Sequence, residues 1–172
     1  MAEDCENDVI FIGHYEQDQR LEMLEYLFEN NIRVSLYGTG WNKIMNSDFI
    51  RSNGKTIPLR GGEYSEALNS SKICLSFLSK MNRDVYTRRC FEIPGMSKLL
   101  LCERTKDMQL IFNEDKEAVY FSDKFELLEK VQWLLKHPEE IDTIAKAGYE
   151  KSYKNGDDIK SRARYFLEII KG

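Results

Sequence analysis

Five short apolar runs recur along the chain: VIFIG (9–13), VSLYG (34–38), ICLSF (73–77), LLLC (99–102) and VYF (119–121). A strand with one wet face alternates apolar and polar residues. These runs are nearly continuous, which predicts strands covered on both faces and hence a parallel sheet. Helical stripes lie between them: Leu21, Leu24, Leu27 and Phe28 follow the first run, and Leu127, Leu128, Val131, Leu134 and Leu135 follow the last. Strand, helix, strand, helix is the pattern of a doubly wound domain. The predicted fold is therefore α/β, a Rossmann-like parallel sheet with helices on both faces.

Pro138 is placed to open a helix, with Glu139 and Glu140 complementing the dipole in its first turn and Ile141, Ile144 and Ala145 on its inner face. KNGDD (154–158) reads as a turn, and Ile159, Ala163, Phe166, Leu167 and Ile170 predict a final amphipathic helix at about 159–171. Two stretches, 41–62 and 78–86, show no clear element. Both are expected to emerge at the carboxyl ends of strands, the edge at which open parallel sheets bind ligands.

Composition narrows the partners. At 172 residues the chain is expected to form one domain, 1–172, with a real core. A net charge of −4 and a pI near 5.4 exclude a broad basic surface, so no nucleic acid is expected and any phosphate recognition must be local. No apolar run approaches the ~18 residues of a membrane span, and Met1 to Asp8 is acidic where a secretion signal is basic, which predicts a cytoplasmic protein. Cys5, Cys74, Cys90 and Cys102 are widely spaced with no CxxC pair, and only His14 and His137 could join them, which supports neither zinc nor redox chemistry. Cys74 and Cys102 read as small buried hydrophobes.

The first run ends in Gly13-His14-Tyr15, followed by a polar loop and Arg20 at the start of a helix. A helix start collects unpaired N–H groups and suits a phosphate, and Gly13 would permit close approach. The second run ends GTGWNK (38–43), with Lys43 where a GxGxxG fingerprint needs its third glycine, so a dinucleotide reading loses its support. Trp41 is either an aromatic wall for a base or a lid on the core.

The densest stretch is SFLSKMNRDVYTRRCFEIPGM (76–96), where Lys80, Arg83, Arg88 and Arg89 precede a helix bearing Glu92. Guanidinium forks suit diphosphate oxygens, and a carboxylate can accept both hydroxyls of a ribose. The plainer alternative is a solvated loop with ordinary ion pairs.

GHYEQDQRLEMLEYL, VSLYGTGW, EALNSSKICLSFL, NRDVYTRRCFEIPGM, LLLCERTKDM and FELLEKVQWLLKHPEEIDTIAKAGYE together resemble the CgeB-like (spore maturation protein) group of GT-B glycosyltransferases, over about residues 8 to 153. The resemblance implies a single GT-B half: the C-terminal, Rossmann-like domain that binds a nucleotide-diphosphate sugar as donor substrate. A second such domain normally supplies the acceptor site. The sequence requires no metal, and no cofactor is expected. Asp84 and Glu92 stand at the spacing of two acids in related retaining enzymes, where the earlier lies by the sugar and the later holds the donor ribose. Arg89 matches the family arginine before FE, and Arg20 would face the diphosphate. The chain departs from the pattern at Val85-Tyr86, where glycine-histidine is usual, at Gly95-Met96-Ser97-Lys98, and at NGDDIKSR before the last helix. The alternative is a noncatalytic interaction or regulatory module with a degenerate donor site.

Overall fold

The structure, a computed structural model, describes residues 7–44, 46–53 and 56–171; Cys5 lies outside them. Five parallel strands form one sheet: β1 (Asn7–Ile12), β2 (Val34–Tyr37), β3 (Ser71–Ser76), β4 (Leu99–Glu103) and β5 (Val119–Phe121), in the order β2-β1-β3-β4-β5. Eight α-helices accompany them among the described residues: α1 (Arg20–Glu29), α2 (Asp48–Asn53), α3 (Gly62–Asn69), α4 (Arg89–Gly95), α5 (Lys106–Ile111), α6 (Lys124–Lys136), α7 (Pro138–Asn155) and α8 (Ile159–Lys171). The expected doubly wound α/β fold is what the chain adopts.

Near-continuous apolarity has the predicted cause. Val9, Phe11, Ile73, Leu75, Leu99, Leu101, Val119 and Phe121 point into one core with Leu24 and Leu27 of α1 and Leu127 and Val131 of α6. Their neighbours Ile10, Ile12, Cys74, Leu100, Cys102 and Tyr120 point into the other, with Leu68 of α3, Cys90 and Ile93 of α4 and Met108 of α5. Each strand residue is thus covered from one side or the other, and each apolar side chain so enclosed contributes about 1.5–3 kcal/mol of transfer free energy.

Local signals set the helix ends. The Asp123 carboxylate accepts the N–H of Phe125 and Glu126 at the start of α6, and Thr105 accepts that of Met108 at the start of α5. Pro138 occupies the first turn of α7, which runs through Asn155 into part of the expected turn and stops at Gly156, where φ is +69°. α7 brings Ile141, Ile144 and Ala145 to the α1–α6 core and packs against α4, and a Cβ on its Gly148 would meet the Glu117 carbonyl oxygen, just before β5, at 2.4 Å. α8 forms as expected but buries none of its residues. Within 41–62, expected to be irregular, a 3-10 turn (Trp41–Lys43) and α2 appear; α2 is fixed by burial of Phe49 and Ile50.

The chain winds from β1 to β2 on one side, then crosses to β3 on the other. The carboxyl ends of β1 and β3 therefore flank the switch point, the position at which sheets of this type open a crevice.

Candidate functional site

The β1–β2 half of this edge is closed tightly. Gly38 holds φ +132°, and a Cβ there would come 1.9 Å from the Gly13 carbonyl oxygen, so glycine is demanded by contact as well as by conformation. Gly13 N–H donates to the Tyr37 carbonyl (2.9 Å), Tyr15 N–H to the Thr39 carbonyl (2.9 Å), and His14 Nδ1 lies 2.7 Å from Thr39 Oγ1. Trp41 is 0% exposed, meets Phe11 and Tyr15 edge-on, and donates its indole N–H to Gly13 O at 2.8 Å. It is the lid on the core; no face of its ring is open to a base.

Arg20 is likewise turned inward, its side chain 4% exposed. Its Nε and Nη2 fork onto the two Asp18 carboxylate oxygens at 2.8 Å each, Nη1 donates to His14 O (2.6 Å), and Glu16 stands 3.2 Å from Nη2. The expectation that Arg20 faces a diphosphate meets a guanidinium whose anions are supplied by the chain itself. Glu16 also accepts the Ser79 hydroxyl at 2.9 Å, linking the loops after β1 and β3 across the switch point.

The loop after β3 is irregular, as expected, but firmly shaped. Glu103, the charged end of apolar β4, accepts the Leu78 N–H (2.6 Å) and the Lys80 ammonium (2.7 Å). Ser79 Oγ accepts the Asn82 N–H, Ser79 O accepts that of Asp84, and Thr105 donates to Val85 O. Arg83 sits exposed at the tip with φ +55°, and Asp84 follows half-buried. The loop delivers Arg88 and Arg89 to the head of α4.

There Glu92, with its side chain 30% exposed, accepts Arg88 Nε on Oε1 at 2.5 Å and the Tyr64 hydroxyl of α3 on Oε2 at 3.4 Å. Burial, with the Glu92 carboxylate adding to it, pushes the Tyr64 hydroxyl well above its usual range; the nearby Arg89 charge opposes this. Arg89 makes no ion pair among the described residues and remains half-buried. Glu92, Arg88 and Phe91 also line a groove of about 1390 Å³ that runs between α4, α5 and the α7–α8 corner. Behind α4, Cys90 and Cys102 approach to 3.7 Å between sulfurs, a proximity their spacing did not show; hydrogen bonding, chiefly from Cys102, lowers the Cys90 thiol to about 6. Among the described residues no three His, Cys, Asp or Glu side chains gather to hold a metal.

The structure thus has Lys80, Asp84, Arg88, Arg89 and Glu92 on one loop–helix segment, leaves Gly13 and His14 on the loop after the neighbouring strand β1, and encloses Arg20 and Trp41. Glu16, Tyr64, Ser79 and Glu103 were not singled out in the sequence. Glu103 alone carries a local signal, an acid closing an otherwise apolar strand.

Residues 19–168 match the family described as glycosyl transferase-like. The chain belongs to this family. No curated protein matches the sequence. Among solved structures, the C-terminal domain of the glycosyl transferase group 1 family protein LpcC from Francisella tularensis is similar at 11% identity and a TM-score of 0.65, over 87% of this chain and 86% of that one. HepE from Anabaena, solved in complex with UDP-glucose, is similar at 10% identity and a TM-score of 0.74, over 96% of this chain. Sucrose-phosphate synthase from Thermosynechococcus elongatus is similar at 12% identity and a TM-score of 0.69, over 97% of this chain. The chain spans about half the length of these last two, 49% and 47%. The fold is that of GT-B C-terminal domains. In this glycosyl transferase-like domain, a half-buried carboxylate, Glu92, and a half-buried guanidinium, Arg89, share the first turn of α4. Among the described residues no helix is long and apolar enough to cross a membrane.

Proposed function

We propose that this domain is the donor-binding half of a GT-B glycosyltransferase of the CgeB-like group, taking a nucleotide-diphosphate sugar at the crevice walled by the β3–α4 loop and α4. Glu92 accepts the ribose hydroxyls, Arg89 meets the diphosphate with Arg88, Lys80 and Arg83 near it, and Asp84 lies toward the sugar. Gly13 and His14 form the opposite wall. When the bond from the anomeric carbon to the diphosphate breaks and a bond to an acceptor hydroxyl forms, negative charge grows on the departing diphosphate. Fixed guanidinium groups lower that barrier. The observation that carries this reading is that Glu92, held by Arg88, and Arg89, which makes no ion pair among the described residues, both stand half-buried in the first turn of α4, in a chain whose family match covers them.

An acceptor-binding domain, in cis or in trans, completes the cleft. The face of α8 supports it: Ile159, Phe166, Leu167, Ile169 and Ile170 are all exposed, and apolar surface of that extent marks an interaction site. The same face favours the second reading, an interaction module without catalysis. Calorimetric titration with UDP, GDP and their sugars separates the two: the donor reading expects saturable heat that Arg89→Ala and Glu92→Ala abolish or weaken at least tenfold, with little transfer by the domain alone. No heat with any of these nucleotides removes the donor reading.

A further inference from the structure

The Glu92 carboxylate is approached from two sides by groups of different origin, Arg88 at 2.5 Å and the Tyr64 hydroxyl at 3.4 Å. Arg88 comes from one turn earlier in the same helix, and its side chain is 88% exposed. An ion pair of that kind is screened by water and fixes Glu92 only relative to α4 itself. Tyr64 comes from α3, 28 residues earlier in the chain, and is half-buried against the core that holds Leu68 of α3 and Cys90 and Ile93 of α4. That contact is the one that relates the carboxylate to a different helix.

An ionised carboxylate has about four lone-pair positions, two on each oxygen. Arg88 occupies one on Oε1 and Tyr64 one on Oε2. Among the described residues neither oxygen has a second side-chain partner, and two neighbouring hydroxyls need one further acceptor position on each. A tyrosine hydroxyl is protonated, and therefore a donor, throughout the neutral range, and burial beside Glu92 raises its pKa further.

We infer that Tyr64 is a positioning residue that orients Glu92 toward a vicinal diol, so that the site selects a ribonucleotide over its dideoxy counterpart. This rests on the donor-site reading given above. Tyr64 need not touch the nucleotide, and Phe at this position keeps the ring that packs on the core while removing the hydroxyl.

The test compares the affinities of UDP and GDP with those of their 2′,3′-dideoxy forms, for the unchanged domain and for Tyr64→Phe, with thermal unfolding as a check on the fold. The unchanged domain is expected to prefer the ribose forms at least tenfold. Tyr64→Phe is expected to shrink that preference about three- to tenfold through weaker binding of the ribose forms alone, leaving the dideoxy affinities unmoved. Glu92→Ala abolishes the preference altogether. A variant that weakens ribose and dideoxy forms equally acts through packing, and one that retains the full preference has no part in orienting Glu92; either result overturns the inference while the donor site stands. If neither nucleotide binds the unchanged domain, the donor reading and this inference fall together.

Discussion

Arg20 and Arg89 each open a helix that follows one of two neighbouring strands of the same sheet edge, yet the chain treats them in opposite ways. Arg20 is sealed beneath its loop by Asp18, Glu16 and the His14 carbonyl, with a side chain 4% exposed. Arg89 lies half-buried next to Tyr64 and Glu92 and makes no ion pair among the described residues. A cation at a helix start on the ligand-binding edge is thus not a ligand group by position alone. What decides is whether the preceding loop already provides its anions: two acids fall within the four residues before Arg20, whereas the segment before Arg89 offers Arg88 and neutral side chains after Asp84.

The largest effect is expected where that comparison is sharpest. Arg20→Ala strands two carboxylates, whose side chains are only 12–15% exposed, without their cation, and denaturant unfolding should register a loss of about 3–5 kcal/mol. If stability is retained, Arg20 is not the internal clamp described. Arg89→Ala reverses the signature: its unfolding free energy stays within about 0.5 kcal/mol of the parent, while nucleotide affinity falls tenfold or more, equivalent to about 1.4 kcal/mol. Equal losses of stability and affinity would erase the distinction between the two helix starts. Trp41→Phe removes a buried hydrogen bond to Gly13 O and is expected to cost about 1–2 kcal/mol of stability with nucleotide affinity intact. Weakened binding in a well-folded Trp41→Phe variant would return the ring to the base-binding wall.

How much of this was legible follows from how each signal is generated. Strands covered on both faces write continuous apolar runs, so all five stood out, and α1, α6, α7 and α8 repeat a stripe over two turns or more. α3 and α5 each bury a single residue, Leu68 and Met108, and one buried position cannot make a period. Lys80, Asp84, Arg88, Arg89 and Glu92 could be grouped in advance because they share one segment. The Tyr64–Glu92 contact spans 28 residues, and no local pattern encodes it. Arg20 and Trp41 carried the right chemistry for a ligand, but burial and hydrogen-bond partners are properties of the folded chain; in both cases packing claimed the side chain first.

A third arginine extends the comparison at its weakest point. Arg104, just past the end of β4, is clamped by Glu114 and Glu126 at 2.5 Å, as Arg20 is by its acids, but each of the three side chains is about a quarter exposed. Hydrogen bonding to Arg104 holds the Glu126 carboxyl at about 2. A carboxyl depressed in the folded state stabilises the fold above its unfolded pKa of about 4.3, and that stabilisation drains away as the pH falls from there toward about 2. Glu126→Gln should therefore flatten the stability–pH curve across this acid window and leave its shape near neutrality unchanged. An identical acid limb in the variant would show that the exposed clamp contributes nothing.

The central claim is that ligand is taken at the α4 wall and not at the α1 wall. Hydrogen–deuterium exchange with and without saturating UDP or GDP tests this segment by segment. Slowed exchange over 78–92 and around Tyr64, with 20–29 unchanged, is the predicted outcome. Protection centred on α1, or no protection anywhere at saturating nucleotide, would contradict it.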